Sequence, residues 1–320
     1  MELVGGNHKD SKNQFQIIVA EGVSLPVEYV RAGHVGGVLN GDVFIAGGTN
    51  WSNDKTTKHW LKSMIVHKDR KWIEGPDLPK ALAYAMYGHD ATGFYLAGGT
   101  SDGSYGEKEV YWLSSLGMEG AWKSLPHLPE GVMYGAGVIF DNKFYVACGS
   151  TGNQSVNNMW CLDLNHNDRG WKECNSVPGV GRILPALVAC GKYLYLIGGL
   201  GGSSPATPLN DLYRYCADED KWERLPDLPL EGYAWASKQI DDDRILLTGR
   251  ADGTIHDGIW IVNLKDSSVT KTGRLLSPST TAPLIKVADT IFWMIGGEPD
   301  SNKNRTEKIS VIEVKSIKEV

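Results

Sequence analysis

The fold class predicted for this chain is all-β, a six-bladed propeller, and three observations predict it. An apolar strand running into one or two glycines recurs six times, as VFIAGG, FYLAGG, FYVACG, YLYLIGG, ILLTG and IFWMIGG, closing at Gly48, Gly99, Gly149, Gly199, Gly249 and Gly297. The steps between those glycines are 51, 50, 50, 50 and 48 residues. Tryptophans recur in the same register, at Trp72, Trp122, Trp171 and Trp222. Finally, the first and last units are each incomplete, and each holds what the other lacks.

A self-similar period near fifty is the mark of kelch repeats, in which each unit folds as one four-stranded blade. Residues 1–14 are a polar tail. Residues 15–26, FQIIVAEGVSLP, line up with KWIEGPDLP at 71–79, the outermost strand of a blade and the exit to the next. The N-terminal copy is thus an outer strand with no blade before it. The last unit has a strand through Lys286, one ending at Gly297 and one at 308–314, and lacks a fourth. The N-terminal strand is expected to close this last blade, which removes the open edge of both terminal segments. Residues 15–320 are read as one domain. The repeating tryptophans are expected to be wedges between blades, with Val269 and Val19 in their place in two units.

Composition narrows the function. The 38 glycines and 42 % apolar residues suit many short buried strands joined by tight turns. No run of eighteen apolar residues marks a membrane span, and the first residues hold no apolar core for a leader. The expected location is cytoplasmic as written, or periplasmic or secreted if a signal peptide was trimmed. Five cysteines without a C-x-x-C pair argue against a disulfide framework or a thiolate metal site, and eight scattered histidines lack a zinc or copper spacing. A net charge of −6 argues against a nucleic-acid partner. No cofactor is expected.

Alternating strands sort the loops onto two faces. One face collects Asp42, Asp90, Asp141, Asp241 and Asp289, which tight hairpins need on their own account. The other carries longer, varied loops, with Asn50, Trp51 and Lys58 in the first unit, the Gly201–Pro208 stretch in the fourth, His256 in the fifth, and Glu298, Lys303 and Arg305 in the last. Sixfold repetition does not explain that variety, whereas a site at the mouth of the central channel does. Arg31 and Arg182 stand sixteen residues before the first glycine of their pairs, and Tyr84 and Tyr134 stand fourteen before the corresponding position. The innermost strand lines the channel, so these side chains are expected to converge there. A guanidinium fork suits a carboxylate or phosphate, so a positive mouth on an acidic protein favours an anionic small molecule.

RAGHVGGVLNGDVFIAGGTNW with KHWLKSMIV near the start, and GGEPDSNKNRTEKISVIEV near the end, resemble the N-acetylneuraminate epimerases, the sialic acid mutarotases, in their cyclically permuted branch. Ala32, Gly33, Gly36, Gly37, Asn40, Ala46, Gly47, Gly48 and Asn50 match one family unit, and Gly297, Glu298, Arg305 and Thr306 match another, whose interior K-P-G is not reproduced. LPKALAYA, VPGVGR and GGSSPATPLNDLYRY extend the likeness along the chain. The resemblance implies a cofactor-free isomerase that interconverts the α and β anomers of N-acetylneuraminate or a related sugar. Ring opening needs one group to take the proton of the anomeric hydroxyl and another to protonate the ring oxygen, a contribution of roughly 10² to 10⁴ in rate.

On this reading Glu298 is one member of the acid/base pair, its carboxyl raised by the burial expected beside a glycine strand, and Lys58 or His256 is the other. Arg31, Arg182 and Arg305 grip a sugar carboxylate, Trp51, Tyr84 and Tyr134 stack on the ring, and Asn50 is a further binding residue. An alternative is a non-catalytic kelch propeller that binds a carbohydrate or a protein partner. A copper enzyme like galactose oxidase needs a tyrosine and histidine ligand set with a neighbouring cysteine, and no such grouping is apparent.

Overall fold

The computed structural model describes residues 15–116, 120–202 and 205–316. The tail expected at 1–14 lies outside the described residues, as do Ser203 and Ser204 of the fourth unit's loop. The described residues are all-β apart from two short 3-10 turns, Val27–Tyr29 and Asn167–Arg169. No helix among the described residues is long and apolar enough to cross a membrane.

The strands form antiparallel meanders, each starting from an innermost strand. The innermost strands are Val35–Leu39, Met86–Asp90, Ala136–Phe140, Ala186–Cys190, Gly232–Asp241 and Leu284–Ala288. Each packs on the next, and Leu284–Ala288 returns against Val35–Leu39, so the arrangement closes as a propeller-like ring. Two of the meanders are joined into one ten-stranded sheet, with Leu209 opposite Gly232 as the pairing between them. Phe15–Glu21 pairs antiparallel with Ile309–Ser316, from Phe15 opposite Ser316 to Glu21 opposite Ser310. The first strand thus covers the edge of the last sheet.

Burial follows the apolar runs of the glycine-ended strands. Phe44, Ile45, Phe94, Leu96, Phe144, Val146, Leu194, Leu196, Ile245, Leu246, Phe292 and Ile295 have no exposed surface, and the buried clusters fill the seams between neighbouring sheets. The tryptophans add a polar bond to that packing. Trp72 donates its indole N–H to the Val23 carbonyl at 3.0 Å, Trp122 to Pro76 at 2.9 Å, Trp171 to Pro126 at 2.8 Å and Trp222 to Asn175 at 2.8 Å. Each acceptor lies in the connection that leaves the preceding sheet, so each ring both fills the seam and ties it. Val269 and Val19 pack apolar surface at the corresponding places and have no N–H to offer.

The throat of the ring is built from backbone. Gly33, Tyr84, Tyr134, Leu184, Ala234 and Thr281 all take positive φ, between 50° and 66°. Gly33 N–H donates to the Thr281 carbonyl, Tyr84 to Gly33, Tyr134 to Tyr84, Leu184 to Tyr134 and Ala234 to Leu184, at 2.6 to 3.0 Å. Left-handed backbone is costly for side chains with a Cβ. Here five of the six residues donate a hydrogen bond to a neighbour around the channel, from Ala234 through to Thr281, and this hoop sets the floor on which the site stands.

Candidate functional site

Above the hoop rises a short ribbon, Thr49–Trp51 paired with Lys58–Trp60, with Thr49 opposite Trp60, Asn50 opposite His59 and Trp51 opposite Lys58. Alternation puts Trp51, Thr49, Lys58 and Trp60 on one side and Asn50 and His59 on the other. Lys58 points toward the channel, its Nζ 3.4 Å from the Tyr84 hydroxyl, 4.6 Å from the centre of Trp60 and 6.0 Å from that of Trp51. Tyr84 and Tyr134 lie against each other, ring centres 4.5 Å apart. Both line a cavity of about 100 Å³ within the hoop, shared with His34 and Trp235.

The last sheet contributes the counter-charge. Glu298 follows Gly297, whose φ of 100° suits glycine, and is held within the last unit by a reciprocal backbone pair with Thr280. Its carboxylate accepts from the Arg305 guanidinium at 3.2 Å, with Glu298 partly open to solvent and Arg305 almost fully covered. Arg305 also donates to the Thr49 carbonyl and hydroxyl and to the Asn304 carbonyl. Lys303 sits over the Trp51 ring at 4.2 Å.

These neighbours act on one another. Burial, then the positive charge of Arg305, hold the Lys58 ammonium below the ordinary lysine value, against the pull of Glu298. Burial, then the Glu298 carboxylate, push the Tyr84 hydroxyl up, and the same two causes raise Tyr134. The site is thus a partly desolvated basic mouth holding one carboxylate, with two phenols beneath it and two indoles beside it.

The structure brings Glu298, Arg305, Lys58, Trp51, Tyr84 and Tyr134 together, and separates the rest. Arg31 does not reach the mouth. It is fully buried, and it donates to the carbonyls of Tyr29, Gly47 and Ser63 and to the Ser63 hydroxyl. Arg182 is its repeat mate, also fully buried, with Nη1 on the Gly198 carbonyl and on Asp211 at 2.6 Å. Both therefore clamp the first glycine of a pair, and neither guanidinium reaches the surface to meet a ligand. Arg305 is likewise engaged by protein atoms and orients Glu298. Asn50 stands on the far side of the ribbon, its Oδ1 accepting from the Trp51 N–H at 2.8 Å. His256 meets Trp260, ring centres 5.9 Å apart, and among the described residues it makes no hydrogen bond or ion pair with Lys58 or Glu298.

Three members of the mouth were not singled out from sequence. Trp60 follows Lys58 by two, the spacing that puts both on one side of a strand. Lys303 was noted only as a loop residue. His34 is buried, its Nε2 3.1 Å from the Ile295 carbonyl and its Nδ1 without a partner. No group of three or more potential metal ligands occurs among the described residues.

Comparison with known proteins agrees with the resemblance in the sequence. The family model described as N-acetylneuraminate epimerase matches residues 125–274. A kelch domain-containing protein of Vibrio cholerae is 35 % identical over 120 residues, 37 % of this chain and 33 % of that protein. The N-acetylneuraminate epimerase of Vibrio cholerae is 32 % identical over 126 residues, 38 % of this chain and 32 % of the relative. That of Haemophilus influenzae is 29 % identical over 144 residues, 44 % and 37 % of the two chains. The alignments span about a third of the length of these curated relatives. The family match holds Tyr134 and Arg182 and stops short of Lys58, Tyr84, Glu298 and Arg305 on either side. With its repeated glycine-ended strands and propeller-like ring, the chain is a kelch-repeat relative of the N-acetylneuraminate epimerases.

Proposed function

We propose that residues 15–316 form a single six-bladed propeller whose mouth catalyses the interconversion of sugar anomers, on N-acetylneuraminate or a related acidic sugar. The hoop of six left-handed residues supports the blade count, since one falls in each repeat. The observation that carries the activity is the convergence of Glu298, Lys58 and Tyr84 at the channel mouth. Glu298 takes the proton of the anomeric hydroxyl, whose electrons form the carbonyl as the bond from the anomeric carbon to the ring oxygen breaks. The ring oxygen takes a proton from the Lys58 ammonium directly or through the Tyr84 hydroxyl. The open chain turns its carbonyl, and the reverse transfers close it on the other face. Trp51, Trp60 and Tyr134 offer flat surfaces to the sugar, and Lys58 and Lys303 offer charge to its carboxylate. Mutarotation proceeds unaided in water, so a positioned acid and base worth roughly 10² to 10⁴ are enough.

The test is proton NMR of α-N-acetylneuraminate as a sialidase releases it, timed with and without catalytic protein. Faster appearance of the β anomer, abolished in a folded Glu298→Gln variant, is the expected result. A rate equal to buffer sinks this substrate, and full activity of Glu298→Gln removes that residue from the chemistry.

One observation favours a second reading. The Glu298 carboxylate is engaged by Arg305, as a purely recognitive site would have it, and a propeller that binds a carbohydrate without turning it over would give saturable shifts in the same spectra with no change in anomer rate.

A further inference from the structure

Below the hoop the channel continues through two more cavities, of about 120 and about 200 Å³, that share wall residues with each other. Their chemistry differs from that of the mouth. No aspartate or glutamate lines either one, whereas Lys238 lines both and His89 and Lys286 line the deeper. Lys238 lies on the innermost strand Gly232–Asp241, His89 on Met86–Asp90 and Lys286 on Leu284–Ala288, so three separate strands aim basic groups into one space. Lys286 gives a hydrogen to the Gln239 carbonyl at 3.4 Å. Lys238 has no hydrogen-bond or ion-pair partner among the described residues. The nearby acid, Asp90, spends its Oδ1 on Thr92 and Gly93 in the turn. Burial, then the charge of Lys286, lower the Lys238 ammonium to about 8, and burial, then Lys238, lower the His89 imidazole to about 4.

Two ammonium groups that line one confined, half-buried space with no carboxylate in its wall repel each other. Such a site is completed by a mobile negative charge. The cavities have room for a halide ion and water, and an NH₃⁺ group keeps three donors to offer it. We propose that the channel beneath the hoop binds a small inorganic anion of the halide class between Lys238, Lys286 and His89, apart from the sugar site at the mouth.

Two measurements on the full chain test this. Chloride-35 NMR of dilute sodium chloride should show excess line width with wild-type protein, at least tenfold smaller with Lys238→Met, and progressively removed by bromide. Crystals grown in sodium bromide should show an anomalous peak in the channel between the three side chains. Equal line widths in wild type and a folded Lys238→Met, or no peak in the channel at bromide concentrations that saturate the NMR effect, would overturn the site. Should Lys238→Met fail to fold, Lys286→Met serves in its place with the same expected loss, and an unchanged line width there overturns the proposal equally.

Discussion

The Lys58 ammonium sits 3.4 Å from the Tyr84 hydroxyl and 5.1 Å from the centre of the same ring, so one cation touches both the polar tip and the side of one phenol. Tyr84 is fixed from below by its left-handed backbone and its place in the hoop. Lys58 is fixed from above by the ribbon and by Trp60. The contact joins the rigid throat to the varied loops, and it makes Lys58 a sensitive point in the site.

Replacing Lys58 by methionine keeps the aliphatic stem against Trp60 and removes the charge. The expected result is a fall of roughly 10² or more in anomer interconversion with the fold intact, read by the same NMR assay and by circular dichroism. The pH dependence has a definite sign. Because the folded-state lysine releases its proton below the ordinary value, wild-type activity that needs the ammonium declines before the pH reaches the usual lysine range. In stability the unfolded chain holds the proton longer, so this group's unfavourable contribution is full at low pH and is relieved as pH rises through the folded value toward the unfolded one. Lys58→Met should therefore melt no lower than wild type at neutral pH.

Much of the ring was legible in the sequence because each blade repeats the same packing problem. Glycines that must turn under a neighbouring carbonyl and tryptophans that must fill a seam recur at fixed steps, and the complementary ends anticipated the pairing of Phe15–Glu21 with Ile309–Ser316. The mouth was legible by residue type and less so by direction. Arg31 and Arg182 were rightly matched as register mates, but the sequence does not tell which way a long side chain turns from its strand, and both turn inward to carbonyls. Asn50 failed for a related reason: it sits one residue from Trp51, and adjacent residues in a ribbon face opposite ways. The basic lower channel escaped notice because His89, Lys238 and Lys286 are far apart in sequence and share no motif.

The two arginines yield a stability prediction in place of a binding one. Arg31→Met leaves the buried Gly47 and Ser63 carbonyls without this donor, and about 3 kcal/mol of destabilisation is expected from unsatisfied groups of that kind. Arg182→Met strands the buried Asp211 without its cation, with about 3 to 5 kcal/mol expected for breaking a buried pair by removing one partner. Urea unfolding at pH 7 measures both. A large rise in KM for sugar in a stably folded Arg31→Met protein would return this residue to the site.

Gly33 is the hoop member without a side chain, at φ 66°, and a Cβ there would come within 2.5 Å of the Tyr84 ring. Tyr84 is held on the other side by Tyr134, so it has little room to retreat. Gly33→Ala should cost about 1 to 3 kcal/mol in strain and, by displacing the phenol that Lys58 touches, lower the anomer rate more than the equilibrium binding of sugar. Unchanged activity with unchanged melting would mean that Tyr84 can move freely and is not set by the hoop.

His34 should make the protein sensitive to mild acid. Burial, then the charge of Arg31, lower its imidazole to about 3, with the Ile295 carbonyl opposing and Arg305 adding to the shift. Its Nδ1 has no partner, and the Arg31 charge nearby disfavours a second proton. The unfolded chain takes up that proton near pH 6.5, whereas the folded chain does not until about pH 3. Between those values the unfolded state binds more protons, so stability falls as pH falls, with a limiting slope of about 1.4 kcal/mol per pH unit for one group. His89, lowered to about 4, adds to the same trend in the upper part of that window. A His34→Gln variant keeps a donor for the Ile295 carbonyl and removes the titration. Its unfolding free energy, measured in urea at pH 7, 6, 5 and 4, should decline less steeply than that of wild type, with the gap between the two curves widening at each step downward. Parallel curves would mean that the imidazole is protonated in the folded state and that its ring opens to water.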